Sequence, residues 1–193
     1  MKIFLLTFFL LTLFNCASTN KEIINNSSDI TSYQIKSCTG WGSISSIGSF
    51  SGNLTFSFIS QNDSSFCQFQ DFLGRKVLLL WLTQDSINAW NLIENKKYSN
   101  SSISEIIPIL SVLNPNHLIK FLWGEEFISN QISVPRQAKI QIKLDKSDQN
   151  SSFVDIATFI DNSNRQQLSI KIDSRVFKQN YLDLKKYWNI ILS

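Results

Sequence analysis

The chain has 193 residues, with 18 Lys and Arg against 15 Asp and Glu and a formal net charge of +3. That small, evenly spread balance argues against a nucleic-acid binder, whose basic residues cluster in a stripe. The length suits one domain with a real core, and most of the 15 Phe and 5 Trp lie inside apolar runs, where burial is their default fate.

Met1-Lys2 is followed by an apolar run from Ile3 to Phe14 and then by Asn15-Cys16. One cation, a short greasy stretch and a cysteine read as an export signal ending at a lipidation site. The stretch is too short to span a bilayer as a helix, which needs roughly 20 apolar residues. The expectation is a signal peptide over residues 1–15, acylation at Cys16 and attachment to a membrane through that lipid anchor. Ordinary secretion with cleavage near Ala17-Ser18 is the alternative, because Phe14 and Asn15 stand where small residues usually precede a lipidated cysteine. Residues 16–32 are polar and bury too little to order themselves, so they read as a flexible tether to a folded domain over residues 33–193.

The next segment reads as consecutive short strands. Leu54, Phe56 and Phe58 alternate with Thr55 and Ser57, and Cys67 and Phe69 alternate with Gln68 and Gln70. Val77 to Leu82 is apolar at every position and must be covered on both faces. Ile87 to Ile93 follows, with Gly74, Asp85-Ser86 and Glu94-Asn95 supplying turn chemistry between the runs. Cys38 and Cys67 are an even pair once Cys16 is acylated, and either a disulfide between them or two buried free thiols fits.

The pattern then turns helical. Ser102-Ile-Ser-Glu105 matches a capping box ahead of Ile106, Ile107, Ile109, Leu110 and Leu113, with Pro108 kinking that helix or moving its start. Asn114-Pro115 is a second start, and Leu118, Phe121 and Leu122 form a stripe closed by Gly124. Strands resume at Ile140 to Leu144, Phe153 to Ile160 and Leu168 to Ile172, while Tyr181 to Leu192 fits a terminal helix or a last strand. The fold class expected is mainly β (α+β): a curved antiparallel sheet forming an incomplete barrel, with two or three short helices as a lid.

Catalytic and metal chemistry find little support. His117, the sole histidine, has no Cys or carboxylate at a ligand spacing and reads as a surface or rim residue. There is no GxSxG elbow, GxGxxG, P-loop or CxxC pair, and Glu125-Glu126 point apart on any regular element. No catalytic residue, metal ligand or cofactor is assigned, and the chain does not read as an enzyme.

Asp71-Phe72-Leu73-Gly74 is harder to dismiss. Turn residues usually face water and are polar. Here two large apolar side chains sit at a predicted turn beside Arg75 and Lys76, which suits insertion into a membrane interface with the cations at anionic headgroups. The alternative is that the loop folds back and both residues complete the core.

Asp71-Phe-Leu-Gly74, the apolar strand from Val77 to Leu82, Ser86-Ile-Asn-Ala-Trp-Asn91, Tyr98-Ser99, two short helices and Leu122-Trp-Gly124 together resemble the LolB family. LolB is the outer-membrane lipoprotein that takes lipoproteins from the periplasmic carrier LolA and inserts them into the membrane. The likeness covers about residues 38 to 126 and includes Gly40-Trp-Gly42, where the family's first strand carries a glycine. It implies an outer-membrane lipoprotein with an apolar cavity under a helical lid, acyl chains of lipoproteins or lipids as cargo, and a LolA-like carrier as partner. Leu73 would then be the exposed loop leucine of the family. Phe72 stands where the family commonly has proline, which makes the tip greasier and less rigid. Phe56, Phe58, Leu80, Trp90, Leu118 and Leu122 are the candidate cavity residues, with plain core packing as the alternative for each. A surface lipoprotein that binds a protein partner through a filled domain, without lipid cargo, is the competing functional reading.

Overall fold

Period-two alternation of large apolar side chains builds several strands of one antiparallel sheet. The computed structural model describes residues 35–48, 51–99, 102, 114–127, 140–162, 165–184, 187 and 189. The expected leader, Cys16 and the expected tether lie outside the described residues, as do residues 103–113, where the first lid helix is expected, and most of the segment ending at Leu192. The strands are β1 (Ser37–Ile47), β2 (Gly52–Gln61), β3 (Ser64–Gln70), β4 (Lys76–Leu82), β5 (Ile87–Asn91), β6 (Lys96–Ser99), β7 (Ile140–Asp145), β8 (Ile156–Asp161) and β9 (Gln166–Lys178). They form a nine-stranded sheet in the order β6-β5-β4-β3-β2-β1-β9-β8-β7, curved and not closed. The described helix, α1 (Pro115–Trp123), lies over β2 and β4. The protein is therefore mainly antiparallel β with an open curved sheet, as expected.

Register sorts the side chains into two faces. Tyr98, Ala89, Leu80, Cys67, Phe58, Gly40 and Arg175 stand opposite one another across seven strands, on the inner face. There they join Phe56, Phe69, Leu78 and Leu82, the α1 residues Leu118, Phe121 and Leu122, and Ala157, Phe159, Ile170 and Ile172 from β8 and β9 in one buried cluster. A cluster that reaches from Tyr98 on β6 to Phe159 on β8 requires the sheet to bend around it. The outer face carries a smaller cluster of Phe66, Leu79, Trp81 and Leu184, with Trp90 and Tyr187 packed against it. Strand β4 is thus buried on both faces, as its unbroken apolar run demands.

Two glycines make the inner face possible. A Cβ on Gly40 would lie 2.2 Å from the Ser174 carbonyl oxygen and 2.5 Å from the Phe58 ring. On Gly42 it would meet the Lys171 carbonyl at 2.2 Å and the Phe56 ring at 3.0 Å. The rings of Phe56 and Phe58 therefore lie down on bare β1 backbone, where any larger residue would lift them. At this point the β1–β9 register shifts between Trp41 and Gly42. That bulge aims Arg175 inward.

Helix α1 has the ends its sequence encodes. Asn114 is the N-cap, its side-chain oxygen accepting from Asn116 N at 2.9 Å, and Pro115 opens the first turn. Gly124 closes it in the left-handed conformation (φ 82°), its N–H donating back to Lys120 and Phe121. The C-terminal carbonyls of Phe121 and Leu122 accept from Arg175, whose guanidinium also bonds Val154 O and pairs with Asp155. One buried cation thus ties β9, the end of α1 and the entry to β8 together. Burial lowers its pKa and the Asp155 carboxylate opposes that shift.

Candidate functional site

The turn between β3 and β4 is built by a single side chain. Asp71 Oδ1 accepts from Leu73 N at 2.9 Å and Arg75 N at 3.0 Å, and Oδ2 accepts from Arg75 Nε at 2.7 Å. Backbone bonds from Gly74 N to Asp71 O and from Asp71 N to Arg75 O close the loop, with Gly74 at φ 76°. Partial desolvation pushes the Asp71 carboxyl up, and the combined bonds from Arg75 and Leu73 outweigh it, leaving the group below its usual range. Phe72 is 87% exposed and Leu73 63%. The loop does not fold back onto the core; both side chains project from it. The Asp71 carboxylate is what stiffens this turn.

The neighbouring β5–β6 turn repeats the device. Asn91 Oδ1 accepts from Ile93 N at 3.0 Å and Glu94 N at 3.2 Å, and Asn95 takes the left-handed conformation at φ 52°. Ile93 at its tip is 73% exposed. The spacing of the sequence placed Ile93 at the end of a strand; the register ends β5 at Asn91 and puts Ile93 in the turn.

Five of the six candidate cavity residues come together. Phe56, Phe58, Leu80, Leu118 and Leu122 share the inner cluster, each no more than 8% exposed. Trp90 does not. It stands opposite Leu79, while its neighbour Ala89 stands opposite Leu80, so period two sends the Trp90 indole to the outer face. There it packs with the outer cluster, donates from Nε1 to Asn95 Oδ1 at 3.2 Å and lies under Lys97.

No protein-family model matches this chain, and no curated protein matches it either.

Cys38 and Cys67 are free and buried, the second of the two arrangements open to them. Cys38 lies opposite Ser60 on β2 and Cys67 opposite Phe58, so they are two strands and two residues apart, roughly 10 Å or more. A disulfide spans Cα atoms no more than about 7 Å apart. Burial pushes both thiols up to about 12, Arg175 pulling Cys38 back in part. His117 is buried at 7% exposure rather than on a rim, stacked 5.5 Å from the Phe127 ring, and its Nδ1 has no partner among the described residues. Burial lowers its pKa below 6.5 and Lys120 adds to the shift. Among the described residues no group of three or more His, Cys, Asp or Glu side chains is placed to hold a metal ion.

Proposed function

We propose that this protein is a lipid-anchored, LolB-like acceptor at the outer membrane, which shelters acyl chains of lipoproteins or lipids against the inner face of its sheet and releases them into the bilayer. The work is non-covalent. Apolar burial favours the sheltered chain by roughly 0.8 kcal/mol per methylene, and release follows when the bilayer offers a better apolar environment. The reading is carried by the exposure of Phe72 and Leu73 on a clamped turn. Burying both in a membrane interface contributes roughly 3–5 kcal/mol, and Asp71 holds the turn in shape beforehand, so little of that is lost to ordering. The curved, open sheet with α1 over its inner face is the second support.

The test is a Leu73→Glu variant of the full chain in an assay where an acylated peptide passes from a carrier to vesicles. The fold is expected to stand, since the residue touches solvent, and transfer to drop at least tenfold. Transfer at the unmodified rate removes the turn from the mechanism.

A protein-binding module with a filled interior is favoured by one observation: Phe56, Phe58, Leu80, Leu118 and Leu122 are buried against one another. Native mass spectrometry after mild purification separates the readings, because a carrier retains acyl ligands and a filled module retains none.

A further inference from the structure

The hairpins of strands β1 to β6 have two unlike ends. Antiparallel pairing places the β3–β4 and β5–β6 turns at one end and the β2–β3 and β4–β5 turns at the other. The second pair of turns is polar and acidic: Asn62 and Asp63 in one, Gln84, Asp85 and Ser86 in the other. The first pair displays Phe72 and Leu73 on one turn and Ile93 on the next. These tips are close, because Leu92 N donates to Val77 O at 2.9 Å and so sets Ile93 beside the start of β4, with Arg75 and Phe72-Leu73 on its other side. Strand spacing puts the two turns roughly 10 Å apart.

The charge at that end matches the apolar tips. Arg75, Lys76, Lys96 and Lys97 are exposed there. The two carboxylates of these turns are engaged within them: Asp71 with Arg75, and Glu94 as acceptor from the Tyr98 hydroxyl at 3.2 Å. Lys96 and Lys97 stand over the rings of Tyr98 and Trp90, at 4.6 and 5.1 Å, which holds both ammonium groups near the sheet surface just behind the Ile93 tip. Greasy points ahead of a band of cations is the arrangement that enters an acyl layer while meeting anionic headgroups.

We infer that the β5–β6 turn is a second membrane anchor, so that Ile93 inserts beside Phe72 and Leu73 and Lys76, Lys96 and Lys97 select an anionic bilayer. This extends the reading of the β3–β4 turn as membrane-inserting and rests on it. One anchor leaves a domain free to pivot about its loop. Two anchors on neighbouring hairpins fix the sheet's tilt, with the acidic turns held away from the bilayer.

Hydroxyl-radical footprinting of the full chain tests this, with vesicles of phosphatidylcholine alone or with phosphatidylglycerol added. Val176, 51% exposed near the opposite end of the sheet, is the internal reference. Oxidation of Phe72, Leu73 and Ile93 is expected to fall several-fold on the anionic vesicles, with Val176 unchanged. Replacing Ile93→Ser is expected to weaken association roughly tenfold, and the triple change Lys76→Gln, Lys96→Gln and Lys97→Gln roughly a hundredfold on anionic vesicles, with little effect on neutral ones. Protection of Phe72 and Leu73 without Ile93 overturns this inference and leaves the single-loop reading standing. No protection of any tip sinks both. Equal protection on the two vesicle types refutes the selection of anionic lipid. Protection that appears without vesicles and grows with protein concentration assigns the tips to a second copy of the chain and refutes the membrane anchor.

Discussion

Replacing Arg175 by alanine is the most revealing perturbation of the fold. The side chain is 6% exposed and Asp155 beside it 15%. Its removal takes the Arg175 bonds from the Phe121, Leu122 and Val154 carbonyls, of which Phe121 keeps the Gly124 N–H, and leaves a half-buried carboxylate without its cation. Breaking a buried pair from one side costs about 3–5 kcal/mol, and most small domains hold only about 5–15 kcal/mol in all. The expected drop in Tm is roughly 10 °C for a chain of this size. Thermal unfolding followed by circular dichroism measures it. Arg175→Lys restores the charge but not the fork that reaches three carbonyls, so it should recover only part of the loss. A second cycle with Asp155→Asn isolates the ionic coupling from the helix-capping bonds. If Arg175→Ala shifts Tm by less than about 2 °C, water replaces the guanidinium at little cost and the clasp is not structural.

Gly40→Ala should destabilise by about 2 kcal/mol or more, since its Cβ has no room between Ser174 and Phe58, whereas Gly52→Ala, with nothing within 4 Å, should be close to neutral. Urea midpoints of the two variants compare them directly, and equal midpoints would mean that the rings do not rest on β1. His117 is held neutral, so its contribution is complete above pH 7 and is lost as pH falls through 6.5 toward its lowered folded-state pKa, where the unfolded chain takes up the proton first. Stability measured between pH 7.5 and 5 should therefore decline, and His117→Phe should flatten that slope; an unchanged slope would assign it elsewhere. With both thiols raised to about 12, Cys38 and Cys67 should resist alkylation at pH 8 until the chain unfolds and then both react, as peptide mass analysis would read.

Much of the sheet was legible because its strands pack one greasy face against one core. Alternation marked β2, β3, β7 and the first part of β9, and Asn114-Pro115 with Gly124 marked both ends of α1. Strand β1 escaped this logic. At Gly40 and Gly42 its inner face must stay bare for rings from β2, which breaks any apolar rhythm, and only its glycines, by family likeness, hinted at it. A strand bordering the inner cluster shows only every second side chain to it, and register, which the sequence does not display, turns Trp90 to the other face. Arg175 was invisible: an arginine on a strand reads as solvated unless the bulge that turns it inward is known. The absence of ligands around His117 in the sequence suggests a rim position, but burial against Phe127 needs none.

The Asp71 carboxylate has one more consequence. Because it dictates the backbone path of its own hairpin bend, the two residues at the crest are released from any duty to maintain that path. Their identities can drift without unravelling the protrusion, so under the proposed membrane-facing role variation at 72 and 73 would tune the depth of insertion independently of everything beneath it.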